Sequence, residues 1–479
     1  MQTRTIDAAH FLPSAEADIQ REVRLTIDNG HIKSVSPIEP GTGNDFVLPA
    51  FVDAHDHARV ARLSQVGSYD TQLEAWLPYL TLIPAVDPYL SSTVAFGRVA
   101  TSGVASVMAH YTRVQGLTDL PTEAAEVARA ARDVGVKLAL ALHCRDLNPL
   151  VYGDHSSVLN ALTPTSRETI SRRFLKDPLS VERQVEQVEE IAAQIEGDGV
   201  TIQYGPAGVQ WCSDAMLRAI SKRSAQTGRR VHMHLLETRY QRAWADRTFP
   251  QGIVTYLDEI GLLNDRVSFA HCVHLRPDEM DLIAERGATI ITNISSNLLV
   301  ASGMPPVGEM VRRGCRVAMG LDGLAFDEDE DQFREMRLVY NGQKALGFDR
   351  SLTPGKMLDI AVSAGHAVNE GNFSGGTLAV GQPADLMVLD WSAMSADLVE
   401  RDVSPLQLLM AKGTKRVLKS LVVGGRTVFA DNRLTGVDLA GNEAALLDTM
   451  RAAHDQVTDV RAAMPELKAA LEAFYVSQN

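Results

Sequence analysis

The chain is poor in cysteine, and the four it has are scattered. Cys144, Cys212, Cys272 and Cys315 form no C-x-x-C pair, so neither a disulfide framework nor a thiolate zinc site is indicated. Positive charge is in deficit. Lysine and arginine number 46 against 60 acids, and the formal charge of -14 disfavours nucleic acid or an anionic membrane as a partner. No apolar run reaches membrane-spanning length, and the opening MQTRTIDAAHFLPSAEAD lacks a signal-peptide core. Also missing are the H-E-x-x-H of zinc proteases and the P-C-x-x-C of the cytidine-deaminase fold. What remains is an ordinary globular composition, 45% apolar and 22% charged, in 479 residues. That length accommodates one large domain and a smaller one, expected in the cytoplasm.

Both ends of the chain read as short β segments. Val23–Ile27 and His31–Val35 alternate around the hairpin signal Asp28-Asn29-Gly30, and a similar texture returns at Thr377–Asp390 and Leu418–Phe429. One small β-sandwich assembled from residues 1–50 and 370–435 is therefore expected. Between them, over residues 51–369, eight short apolar runs alternate with amphipathic stretches such as Leu120–Val134, Val181–Ile195, Asp214–Gln226 and Pro277–Arg286. Alternation of that kind predicts an α/β chain with a TIM-like (β/α)8 barrel, whose chemistry should sit where strands end and loops begin. Residues 436–479 read as a helical segment interrupted by Pro465, and Asp327–Asp331 (DEDED) as a solvated first helical turn.

The chain is organised around Phe51–His57, FVDAHDH. On a strand, His55 and His57 leave the same face, and two imidazoles at that spacing can converge on one ion at roughly 2.0–2.1 Å. Alone the pair is a weak signal, since His-x-His also ends ordinary strands. Later strands supply matching groups: His232, His234 and Glu237 in RRVHMHLLETRY, His271 and His274 in SFAHCVHL, and Asp322 after VAMGL. A barrel gathers strand ends around one axis, and three imidazoles with one carboxylate suit zinc or a similar divalent ion.

These residues also carry a resemblance. His55-x-His57, HLLE at 234–237, AHCVHL at 270–275, the NISSNLLVASG run and GLDG at 320–323 resemble the amidohydrolase superfamily, in its deaminase and chlorohydrolase branch. GTLAVGQPADLMVLD is similar to the returning β-domain of that family. The resemblance implies that His55, His57, His234 and Asp322 bind one divalent metal, zinc first and iron second. It further implies that Glu237 shuttles a proton, that His271 hydrogen-bonds the attacking water and the oxyanion, and that Asp322 also takes up a proton. The implied reaction is hydrolytic deamination of an N-heterocycle by metal-bound hydroxide, in a homo-oligomer acting on a small molecule. Release of chloride or an alkylamine, or cleavage of an amide, would use the same groups, and a non-catalytic scaffold is the reading from another class. No lysine on the fourth barrel strand is placed to carry a bridging carbamate, which disfavours two-metal relatives.

Two departures limit the substrate. After the fourth strand the chain has Pro206-Ala207-Gly208 where the branch tends to carry a histidine, and after His57 the loop holds Arg59 and Arg62. Either arginine is a candidate for a carboxylate or ring carbonyl, with surface exposure the alternative. Trp76, His110 and His143 complete the substrate-binding candidates, while His232 reads as an inward structural group.

Overall fold

A computed structural model describes residues 3–58, 62–68, 71–147, 150–344, 351–400 and 402–477. Its first four strands, β1 (Arg4–Phe11), β2 (Gln20–Asp28), β3 (His31–Pro37) and β4 (Asp45–Pro49), come from the N-terminal stretch. Eight more follow in the middle: β5 (Phe51–Asp56), β6 (Val104–Tyr111), β7 (Lys137–Cys144), β8 (Val200–Pro206), β9 (Val231–Leu235), β10 (Val267–His271), β11 (Thr289–Thr292) and β12 (Arg316–Met319). The last four, β13 (Leu386–Asp390), β14 (Leu418–Val423), β15 (Arg426–Ala430) and β16 (Arg433–Leu434), return to the first sheet.

β5 to β12 run parallel in strict chain order. The ring closes between its first and last strands. There the Asp322 N–H donates to the His55 carbonyl at 2.9 Å, and the buried Asp53 carboxylate accepts from the N–H groups of Leu321 and His55. Burial holds the Asp53 carboxyl well above its usual range. Helices between the strands follow the sequence pattern closely. Leu120–Val134, for example, is capped by Asp119, which accepts from Thr122 N–H, and ends at Gly135 with φ 99°. Its buried Ala124, Val127, Ala128, Ala131 and Val134 recur at helical spacing and cover the barrel. Small side chains (Ala54, Ala139, Ala141, Ala318) with Met108 and Ile291 fill the interior below the mouth.

The terminal strands form one mixed sheet, in the order β16-β15-β14-β13-β4-β1-β2-β3. It curls over so that Gly30 and Ile32, beside β3, bond to residues 381–384 ahead of β13, enclosing Leu25, Ile32, Leu386 and Val422. Curling of one sheet, where the sequence reading has two layers, buries the same apolar faces. Two helices, Leu439–Ala452 and Thr458–Val476, end the described chain. Pro465 does not interrupt the second: it lies inside it, and the break falls at His454–Val457. Removing one N–H from the helix ladder is outweighed there by burial of Val460, Met464, Leu467 and Leu471 on the apolar face. The acidic run is likewise not wholly solvated. Glu330 and Asp331 are buried, and Asp331 accepts the N–H groups of Phe333 and Arg334 at the start of Gln332–Lys344. No helix among the described residues is long and apolar enough to cross a membrane.

Candidate active site

His55, His57, His234, Glu237, His271 and Asp322 meet at the C-terminal mouth of the barrel, whereas His232 lies behind His55 and His274 faces the Ser302 carbonyl at 2.8 Å. Backbone geometry aims them: Leu236, His271, Cys272 and Asp322 all have positive φ, an uncommon choice for residues with a Cβ and a strain concentrated at the strand ends. His57 Nε2 lies 3.2 Å from His234 Nε2 and 3.1 Å from Asp322 Oδ1. His55 Nε2 lies 3.3 Å from the same oxygen. Ligand atoms of His55, His234, His271 and Asp322 fall within 4.8 Å of one another.

Hydrogen bonds on the far side of each ring assign its proton. His57 Nδ1 faces the His110 carbonyl at 2.7 Å, and His234 Nδ1 faces the Ala207 carbonyl at 2.7 Å, so both donate from Nδ1. His55 Nδ1 meets His232 Nε2 at 2.7 Å, and His232 Nδ1 meets Ser268 Oγ at 2.8 Å. Ser268 donates its own proton to the Val231 carbonyl at 3.3 Å, so the chain of donors runs His55 to His232 to Ser268. Three Nε2 lone pairs and a carboxylate oxygen thus converge with no proton between them. Buried His55 Nε2 has no hydrogen-bond partner. Acceptors at 3.1–3.3 Å repel unless a cation joins them, and N3O is a donor set that zinc and similar ions take. The residues present therefore fit a divalent ion. Burial, reinforced by the neighbouring imidazoles, also keeps His232, His234 and His110 well below the usual imidazole range, and burial brings His55 down to about 3. Neutral rings are what a metal requires.

Beside this cluster stand the acid–base candidates. Glu237 accepts from Ser302 Oγ at 3.2 Å, and its other oxygen lies 3.8 Å from His271 Nε2. His271 Nδ1 is 2.8 Å from Asn297 Oδ1, while its Nε2 is 4.0 Å from Asp322 Oδ2. Ser296 Oγ donates to that Oδ2 at 2.5 Å. A cavity of about 720 Å³ opens from His57, His234, Glu237, His271 and Asp322. The cluster could hold a metal ion, and a carboxylate and an imidazole stand beside it at the floor of a substrate-sized pocket.

The amidohydrolase family model matches residues 46–428. The chain belongs to the amidohydrolase family. It is accordingly an enzyme, a hydrolase of carbon–nitrogen bonds other than peptide bonds. The 5'-deoxyadenosine deaminase of Methanosarcina barkeri is 26% identical over 423 residues, 87% of this chain and 88% of that one. The 5-methylthioadenosine/S-adenosylhomocysteine deaminase of Nitratidesulfovibrio vulgaris is 34% identical over 51% of this chain and 55% of its own. Among solved structures, a zinc-bound adenosine deaminase from Xanthomonas campestris superposes with a TM-score of 0.77 at 22% identity, covering 94% of this chain and 98% of that one. Atrazine chlorohydrolase from Arthrobacter aurescens TC1, complexed with zinc, gives 0.73 at 18%, covering 92% and 99%. At these identities the structures establish the shared fold.

Within this family member, the substrate-binding candidates part company. Trp76 lines the cavity. His110 does not line it; it is buried behind the cluster, stacked on His57 and His234 at ring-centroid distances of 5.6 and 4.9 Å. His143 and Arg62 are not among the lining residues, and Arg62 instead approaches Glu443 of the C-terminal segment at 3.6 Å. Arg59 lies outside the described residues. Sequence reasoning missed Glu74, which lines the cavity, accepts from Thr238 Oγ1 and is pushed up to about 7 by burial and by the nearby Glu237 charge. It also missed Ser296 and Asn297, although both sit in the quoted NISSN run; the signal was there without a geometry to assign it. Arg113, Arg145 and Lys176 come to the cavity from loops, Arg173 from the helix Pro164–Phe174, Trp211 from the turn Val209–Trp211 and Tyr475 from the C-terminal helix, and no motif marks them.

Proposed function

We propose that this chain is a mononuclear zinc-dependent aminohydrolase that removes an amino group from an N-heterocycle. The observation that carries it is the convergence of bare Nε2 atoms of His55, His57 and His234 with Asp322 Oδ1, immediately beside Glu237 and His271. These four side chains would hold the ion. When bound, it supplies Lewis acidity and makes hydroxide available near neutral pH. Asp322 takes up the proton of the attacking water, its Oδ2 held in place by Ser296. His271, oriented by Asn297, hydrogen-bonds the nucleophile. Glu237 carries the second proton of the water to the ring nitrogen, and the proton held by Asp322 passes to the departing amine, so that ammonia leaves and both protons of the water are accounted for.

The relatives named as deaminases of adenosine-type compounds support an aminated ring as substrate. Trp76 and Trp211 offer flat walls for such a ring. Farther out, Arg113, Arg145, Arg173 and Lys176 favour an anionic substituent on the substrate. Ala207, in place of a histidine, offers no side-chain donor to the ring, so its edge is recognised by other groups. Four buried free thiols suit a reducing cytoplasm. The test is ammonia release from purines, pterins, pyrimidines and triazines bearing amino groups. Ammonia from at least one ring supports the proposal. Turnover of amides or chloro-substituted rings, with no ammonia from any aminated ring, overturns it in favour of another leaving group.

A further inference from the structure

Beneath the metal centre, three fully buried side chains form a line that the chemistry above does not use. His55 Nδ1 contacts His232 Nε2 at 2.7 Å, His232 Nδ1 contacts Ser268 Oγ at 2.8 Å, and Ser268 Oγ reaches the Val231 carbonyl at 3.3 Å. His55, His232 and His110 also cluster tightly enough to be considered as ligands of a second ion. The 2.7 Å contact excludes that, because two nitrogens on one tetrahedral zinc at 2.0–2.1 Å stand about 3.3 Å apart. His110 turns its Nε2 to the Gly205 carbonyl at 3.1 Å and does not join the line.

A line of two imidazoles and one hydroxyl has two proton arrangements. In one, Ser268 donates to His232, His232 Nε2–H donates to His55 Nδ1, and the remaining proton of His55 sits on Nε2, where the metal must bind. In the other, every donor is reversed and His55 Nε2 is bare. The Ser268 contact to the Val231 carbonyl favours the second. When its single proton points to the Val231 carbonyl, 3.3 Å away, it accepts from His232 Nδ1–H, and His232 then accepts from His55. All three residues are buried with 0% exposure. No solvent is at hand to replace a lost partner.

We infer that His232 and Ser268 are positioning residues that lock His55 in the tautomer able to ligate the metal. The inference rests on the metal centre proposed above, but its test reads metal affinity and needs no substrate. The whole chain is stripped with a chelator and titrated with zinc against a competing chelator, and the unfolding temperature of each stripped variant is recorded. Ser268→Ala and His232→Leu are expected to weaken zinc binding 10–100-fold, the usual cost of removing a partner behind a metal-bound histidine. His232→Gln, whose side-chain oxygen can still accept from His55 Nδ1–H, is expected to recover most of that loss, although Leu and Gln disturb packing alike. Zinc affinity unchanged in Ser268→Ala, in a variant that melts like the stripped wild type, overturns the inference. So does equal weakening in His232→Leu and His232→Gln. Failure of the metal centre itself reads differently: the wild-type chain would then hold no zinc in the same titration.

Discussion

Glu335 offers a test of the site's foundations that depends on no substrate. Its carboxylate is buried in the helix Gln332–Lys344 and accepts both the N–H (3.0 Å) and the hydroxyl of Ser295. Ser295 lies in the first turn of the short helix Ile294–Leu299, which carries Ser296 to Asp322 and Asn297 to His271. Burial outweighs those two hydrogen bonds and pushes the carboxyl up from 4.5 to about 7. Below pH ~4.5 the folded and unfolded chains are both protonated, and the raised pKa costs nothing. Between about 4.5 and 7 the unfolded carboxyl gives up its proton while the folded one keeps it, so stability falls as pH rises, at roughly 1.4 kcal/mol per unit. Across that window the loss is on the order of 3 kcal/mol. With an unfolding entropy of about 2.1 cal/mol/K per residue, a chain this long loses about 3 °C in Tm. Glu335→Gln has no such proton to lose, and its amide can still bond Ser295. Calorimetric melting from pH 5 to 8 should therefore show the wild type falling about 2.5 °C further than the variant, since part of the loss already precedes pH 5. Glu74, also at about 7, titrates in both proteins and cancels from the difference. Parallel profiles across that range would refute the assignment of a raised pKa to Glu335.

Replacing Glu237 with Gln should leave zinc content unchanged while lowering turnover by about 10²–10⁴-fold, measured by metal analysis beside steady-state rates; wild-type rates would remove Glu237 from proton transfer. Chelation should abolish activity, with recovery on adding zinc. It should also lower Tm, since an ion present at ~1,000 times its dissociation constant contributes about 4 kcal/mol to the folded state. Phe333, fully buried with its ring edge-on to Phe51 at 4.8 Å, braces the first barrel strand. Phe333→Ala should cost about 3–5 kcal/mol by calorimetry or denaturant titration, and a change below 1 kcal/mol would mean that the barrel closes without it.

Sequence alone determined the parts of this protein that depend on local periodicity and residue type. Leu120–Val134 is legible because its apolar spacing, Asp119 and Gly135 all act within a few turns. The barrel strands are legible because parallel strands buried on both faces read as short apolar runs. His55, His57, His234 and Asp322 stand out because imidazoles and a carboxylate at the ends of short apolar runs are read from residue type and spacing alone. Curling of the terminal strands into one sheet was not legible, since β3 bonds to a segment some 350 residues later. Nor was the unbroken helix around Pro465, where tertiary burial overrides a local signal. Tertiary structure alone decided which nitrogen of each histidine is bare, through partners such as Ala207, His232 and Ser268 that no motif joins to their rings. It also brought Glu74 and Tyr475 to the same cavity. A pattern along the chain reports what one element needs from water; proton position and pocket shape are set by atoms that meet only after the ring of strands has closed.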